Sequence, residues 1–259
     1  MDTVVCVKRV PLTHEVDLEI DDSHRSVRQD DLSYVINEWD SYAVEAAVQL
    51  KEEIGGTVTA ITVGSEDDEE VLTRCLAMGA DSAIRVDAGE RTPDSYVISR
   101  ILAEVIRDLE HDLVLTGVQA EDDGQALVGI MVAAHLGLAH AAVVRGVQFE
   151  GSEATVRIEL DGGAEEVSKI RLPALLTIQT GINEPRYVSI MGIRKAARKE
   201  LKVVSLDELA LSEEDLAERT MVQELFPPPE VEGAEILEGD PAAVADEILR
   251  IVKEKGVNV

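Results

Sequence analysis

Four short β-branched runs, each followed by a stretch of helical periodicity, constrain this chain more than any other feature. They are "TVVCVKRV" (Thr3–Val10), "TVTAITVG" (Thr57–Gly64), "SAIRVDA" (Ser82–Ala88) and "DLVLTG" (Asp112–Gly117). Runs this short and apolar read as buried strands. A polar, acid-rich loop follows the first, to about Ile36. A helix is then predicted from Asp40 to Glu53, with Ala43, Ala47 and Leu50 on one face, Val44 and Val48 beside them, and Gly55-Gly56 ending it. Ser65 is a suitable N-cap for the next helix, which has acids in its first turn and ends near Gly79. Thr92-Pro93-Asp94 opens a third helix, with Ile98, Ile101, Leu102, Val105 and Leu109 on one face. The fourth, from about Gln125 to His135, is apolar nearly all round and is expected to be buried on more than one side. Parallel strands need crossover connections, so this alternation predicts an α/β fold: a doubly wound parallel sheet with helices on both faces.

After Gly137 the pattern changes. "AAVVRGVQFE", "EATVRIELDGG" and "EEVSKIRLPALLTIQT" are strand-like and closely spaced, with hairpin signals at Gly151-Ser152 and Gly162-Gly163. They predict an added antiparallel β region. Beyond Leu201, Ser205 and Ser212 each head a short acidic run. "FPPPEVEG" (Phe226–Gly233) excludes helix and central strand, and a last helix is expected from Asp240 to Lys255 with Val244, Ile248, Ile251 and Val252 inward. The domain reading is therefore 1–202 for the α/β body and 203–259 for a C-terminal extended and helical arm that lies on something else.

The core must be aliphatic, because 45% of residues are hydrophobic but only 3% aromatic. No signal peptide or membrane-spanning run is evident, so the expectation is a cytoplasmic protein without membrane insertion. A formal net charge of -28 disfavours nucleic acid as a partner and reads as a hydrated acidic surface of the kind halophiles use. Cys6 and Cys75 form no C-x-x-C, and no metal-ligand spacing occurs. Histidines 14, 24, 111, 135 and 140 fit no catalytic pattern. With no catalytic acid–base pair or nucleophile to name, the chain reads as a binding or carrier protein.

In an open parallel sheet the ligand crevice lies beyond the carboxyl ends of the strands. Four spots fall there: Cys6 to Val10, the loop before Asp40, Val63-Gly64-Ser65, and "TGVQAEDDGQALVG" (Thr116–Gly129). In the last, Gly117, Gly124 and Gly129 let backbone approach a ligand, and the following helix start offers N–H groups to an anion. Asp122 and Asp123 would repel a phosphate unless they face elsewhere. A second anomaly is "INEPRYVSIMGIRKAARK" (Ile182–Lys199), where five of the chain's 24 basic residues meet one acid, Glu184.

Taken in order, "VVCVKRVP", "VINEWDSYAVEAAVQLKE", "LAMGAD", "DLVLTGVQAEDDGQALVG", "LDGG" and "LPALLTIQTGINEPRY" resemble the small (beta) subunits of electron transfer flavoproteins, FixA-like proteins included. The resemblance covers roughly residues 3–200; "LAMGAD" and "NEPRY" are its most specific pieces. It implies an electron carrier that works as a heterodimer with a larger alpha subunit holding most of an FAD. Such a carrier takes electrons from acyl-CoA or other flavin dehydrogenases toward a quinone oxidoreductase. It also implies a second nucleotide on this chain: AMP in the housekeeping branch, or a second FAD in an electron-bifurcating branch that oxidises NADH. Carried over, the nucleotide contacts become Cys6, Lys8, Asn37, Trp39, Asp40, Val63, Gly117, Gln119, Ala120, Asp122, Asp123, Gln125 and Val128. Trp39 takes the place of an aromatic near the partner's flavin; by its residue context alone it is equally a packing residue. Glu38, Leu12 and Leu127-Val128-Gly129 depart from the family pattern.

The basic stretch matches the family's recognition loop, about 182–199, which docks the dehydrogenase. Asn183, Glu184, Pro185, Arg186, Tyr187, Ile190, Arg194 and Lys195 become partner-binding residues, with Ile190 as an apolar knob ringed by cations. Glu159 matches a position that pairs with an arginine of the alpha subunit's flavin domain. A reading of another class, a homodimeric ATP- or AMP-binding sensor of the universal-stress type, shares the early strand–helix alternation but leaves 140–200 and the arm without a role.

Overall fold

A computed structural model of the chain describes residues 1–256 except 14, 15, 17, 31, 90, 92, 197, 230–232 and 235. Thr92 of the expected helix opening, His14 and part of the Pro-rich stretch thus lie outside the described residues. The chain forms two compact units, Met1–Gln223 and Glu224–Val259.

In the first unit the strands are β1 (Thr3–Cys6), β2 (Arg9–Pro11), β3 (Tyr34–Ile36), β4 (Val58–Gly64), β5 (Ser82–Asp87), β6 (Leu113–Gly117), β7 (Ala139–Glu150), β8 (Glu153–Glu159), β9 (Glu165–Arg171), β10 (Ala174–Ile178) and β11 (Leu201–Ser205). The helices are α1 (Glu38–Ile54), α2 (Glu69–Met78), α3 (Ser95–Arg107), α4 (Val128–Leu136) and α5 (Ile190–Ala196). Nine strands form one sheet in the order β11-β5-β4-β1-β6-β10-β7-β8-β9. It is parallel from β11 to β7, and β8 and β9 add the antiparallel end. Helices α1 and α2 pack on one face over Val5, Ala60 and Leu115; α3 and α4 pack on the other over Val4, Ile61 and Val114. That is the doubly wound architecture expected from the alternation.

Three expectations change in detail. The run Thr3–Val10 divides: the Val7 N–H still donates to the Ile61 carbonyl, but that of Lys8 turns to the Asp40 carboxylate, and Arg9–Pro11 pair with β3 in a separate ribbon. The run from Glu165 to Thr180 also divides, because Pro173 lacks a ladder N–H; its second half, β10, enters the parallel sheet between β6 and β7. Helix α4 starts at Val128, after Ala126 at φ 54°, and buries only Gly129, Val132 and Ala133, leaving another side open.

Segment 203–259 begins inside β11, which pairs parallel with β5 at the sheet edge. Ser205 and Ser212 head their acidic turns as expected, bonding to Glu208 and Asp215. In the second unit, α6 (Pro241–Glu254) is capped by Asp240, whose side chain accepts from the N–H groups of Ala242 and Ala243. No residue of α6 is buried, and Ile248 and Leu249 are exposed.

Candidate functional site

Strand order reverses at β1: the chain proceeds through β4 and β5 on one side, then returns with β6 on the other. A crevice must open where the connections diverge. A cavity of about 380 Å³ lies there, reached by the ends of β1, β4 and β6, the loop 118–127 and the start of α4. Twelve of the thirteen nucleotide contacts carried over from the resemblance line it: Cys6, Lys8, Asn37, Asp40, Val63, Gly117, Gln119, Ala120, Asp122, Asp123, Gln125 and Val128.

The first turn of α1 builds the walls. Asn37 precedes the helix but its side chain does not cap it. Instead Nδ2 donates to the Gln119 carbonyl (2.8 Å) and Oδ1 accepts the Glu121 N–H (3.2 Å), so the glycine loop is held in shape. Asp40 is buried, and its two oxygens accept the N–H groups of Lys8 (2.8 Å) and Gly117 (3.0 Å). It therefore ties the end of β1 to the end of β6. Burial raises its pKa to about 7, against those hydrogen bonds, which lower it. Gly117 is required here, because a Cβ would lie 2.4 Å from Asp40 Oδ1.

Lys8 Nζ reaches Asp122 (2.7 Å) and Asp123 (2.9 Å). Burial lowers its pKa, but the two carboxylates outweigh that and raise it, so it stays charged. The acids that would repel a phosphate thus face a lysine. The Cys6 thiol is pushed up to about 12, first by burial and then by Asp40, which leaves it a neutral, unreactive wall. Helix α4 opens on the cavity with no side-chain cap, leaving its first N–H groups for an acceptor.

The sequence reading missed one wall. Arg91, Pro93, Asp94, Ser95, Ile98 and Leu102 also line the cavity. They follow β5, the one parallel strand of the first four whose carboxyl end was passed over; the crevice rule applied evenly would have found them. Trp39 is not on the cavity. Its indole N–H donates to Gln179 Oε1 (2.9 Å), beyond the end of β10.

In the basic segment, Arg186 makes a fork onto α1: Nε lies 2.9 Å from Glu45 Oε2, and Nη1 lies 2.8 Å from Glu52 Oε1. Burial pushes the Glu45 carboxyl up, but the bonds from Arg186 outweigh this and hold it below its usual value. The Arg186 pKa is raised, by Glu52 and then Glu45. Asn183 donates to the Tyr42 carbonyl and Lys199 to those of Leu76 and Ala80. Glu184 is exposed and Pro185 half-buried beside them. Tyr187, Ile190 and Met191 are 89%, 69% and 71% exposed. Among the described residues Arg194, Lys195 and Arg198 make no ion pair. Glu159 pairs with Arg145 of its own chain.

Geometry and topology together define a class: doubly wound α/β proteins whose ligand crevice sits where strand order reverses. Within that class the chain belongs to the electron transfer flavoprotein family, as a beta subunit, and its role lies in electron transfer. The family model for the electron transfer flavoprotein domain matches residues 26–209. The electron transfer flavoprotein subunit beta of Methylophilus methylotrophus is 40% identical over 263 residues, covering 98% of each chain. That of Bacillus subtilis is 37% identical over 257 residues, again 98% of each. The Caffeyl-CoA reductase-Etf complex subunit CarD of Acetobacterium woodii is 34% identical, covering 99% of this chain and all of that one. No helix among the described residues is long and apolar enough to cross a membrane, and no group of three metal-ligating side chains occurs among them.

Proposed function

We propose that this chain is the small subunit of a cytoplasmic, heterodimeric electron transfer flavoprotein, with AMP held in the crevice at the β1–β6 reversal. A larger alpha subunit carries most of the FAD, which when bound supplies reversible electron uptake. The chain's own residues supply shape and contacts, not acid–base chemistry. The observation that carries the reading is the crevice: an uncapped helix N-terminus, two acids paired with a charged lysine, and about 380 Å³, near the lower end of the ~300–1,000 Å³ range of ligand sites. That size favours a mononucleotide over a second FAD.

Dehydrogenases dock on the exposed Tyr187, Ile190 and Met191, with Arg194 and Lys195 steering them; a quinone oxidoreductase takes the electrons onward. The segment from 203, ending in an α6 with no buried residue, packs on the alpha subunit.

The test is co-expression with the alpha subunit, followed by extraction. One flavin and one AMP per heterodimer support the proposal. Two flavins and no AMP establish the bifurcating form instead, and neither flavin nor nucleotide overturns both readings.

A further inference from the structure

The cation that the sequence places in the crevice is already engaged. Lys8 Nζ contacts both Asp122 and Asp123, and Asp123 uses its other oxygen to accept the Gln125 N–H at 2.9 Å. Arg91 is exposed, and a solvated charge attracts an anion from a distance better than it holds one. A phosphate entering here must therefore be held mainly by neutral donors. The neutral donors lining the cavity include the uncapped first turn of α4 and the side-chain amide of Gln125, two residues before the Leu127 N-cap.

In this structure Ser95 meets the Oε1 end of that amide. Its hydroxyl donates to Gln125 Oε1 at 2.9 Å. Ser95 is 8% exposed and begins α3, whose N-cap Asp94 accepts the Val97 N–H at 3.0 Å; the hydroxyl therefore projects from a fixed turn. With Oε1 taken, Gln125 presents Nε2, which bonds to none of the described residues. A glutamine free to rotate would present donor and acceptor alternately, and the acceptor would face a phosphate unfavourably.

We propose that Ser95 is a positioning residue: it holds Gln125 as a donor toward the phosphate of a bound adenylate, so that the site grips a phosphomonoester through neutral donors rather than through a lysine. The inference rests on the adenylate reading of this cavity.

The experiment uses the heterodimer with its alpha subunit, stripped of nucleotide and titrated calorimetrically with AMP and, separately, adenosine. Ser95→Ala is expected to weaken AMP about tenfold and adenosine less than about twofold, one neutral hydrogen bond's effect confined to the phosphate. Gln125→Ala should match it, and the double variant should lose no more than Gln125→Ala alone. Gln125→Glu keeps the acceptor for Ser95 but sets a carboxylate against the phosphate, and should weaken AMP the most. Equal losses for AMP and adenosine in Ser95→Ala would reduce Ser95 to packing and overturn the proposal. So would additive losses in the double variant, or AMP affinity unchanged in Ser95→Ala. A wild-type heterodimer that binds neither compound removes the adenylate reading itself, and this proposal with it.

Discussion

Asp40 is the residue on which the crevice turns, and its behaviour with pH follows from its surroundings. Its oxygens accept two backbone N–H groups from different strands, yet burial raises its pKa from 3.8 to about 7. The unfolded chain ionises this group near its ordinary value, while the folded chain keeps its proton longer. In the window between about pH 4 and 7 the folded state thus binds more protons, so the Asp40 contribution to stability is full below the window and is lost as pH rises through it. Asp40→Asn cannot titrate. The melting temperature of wild type minus that of Asp40→Asn is expected to shrink between pH 5 and pH 8; a constant or growing difference would show that the carboxylate is ionised throughout. The crevice rule pointed to the loop before Asp40, and the family resemblance supplied Asn37 and Asp40 themselves; both line the cavity. Their task was not legible. Whether a side chain meets a ligand or a neighbouring loop depends on contacts at separations such as 37 to 119, which no local pattern encodes.

At the scale of elements, the basic segment 182–199 divides into an anchor and a tip. The anchor is Arg186, forked onto Glu45 and Glu52 of α1, with Asn183 and Lys199 bonding to backbone carbonyls on either side. The tip is Tyr187, Ile190 and Met191, with Arg194 and Lys195 beside them. Removing Arg186 strands Glu45, whose side chain is 3% exposed, without its charge partner. Arg186→Ala should cost about 3 kcal/mol in chemical denaturation, the low end for a broken buried pair because Arg186 itself is partly exposed. Arg194→Ala with Lys195→Ala should stay within about 0.5 kcal/mol, while slowing association, at low salt, with the dehydrogenase proposed to dock there. Equal stability losses from both variants would contradict the division. The anomaly of charge was visible in the sequence, but not its split. The acids that neutralise Arg186 lie some 140 positions away, at Glu45. Strands and helices of the doubly wound half were legible for the opposite reason: each is set by a local run with its own period. The parallel insertion of β10 was not, because its neighbours β6 and β7 lie on either side of α4 in sequence.

For the whole molecule, the contrast is between a unit with a two-sided aliphatic core and a C-terminal unit with no buried hydrophobic among its described residues. Met1–Gln223 encloses the nine-stranded sheet and the crevice. Glu224–Val259 contains α6, whose Val244, Ile248, Ile251 and Val252 were expected inward but are all left at least partly exposed. A 14-residue helix without tertiary burial is marginal in water, since propensity alone seldom offsets nucleation. This stripe is the surface proposed to meet the alpha subunit, and the net charge of -28 makes a second copy of the same chain an unfavourable partner. A chain ending at Gln223 should keep the thermal transition of the full chain to within a few degrees, because no core residue is removed. Its helical signal per residue should not fall if α6 is frayed in the isolated chain. In the heterodimer the same truncation should weaken association with the alpha subunit by at least tenfold, read by sedimentation across a dilution series. If truncation instead lowers the melting temperature of the isolated chain sharply while the heterodimer assembles normally, the C-terminal unit supports its own subunit and the stripe on α6 is not an assembly surface.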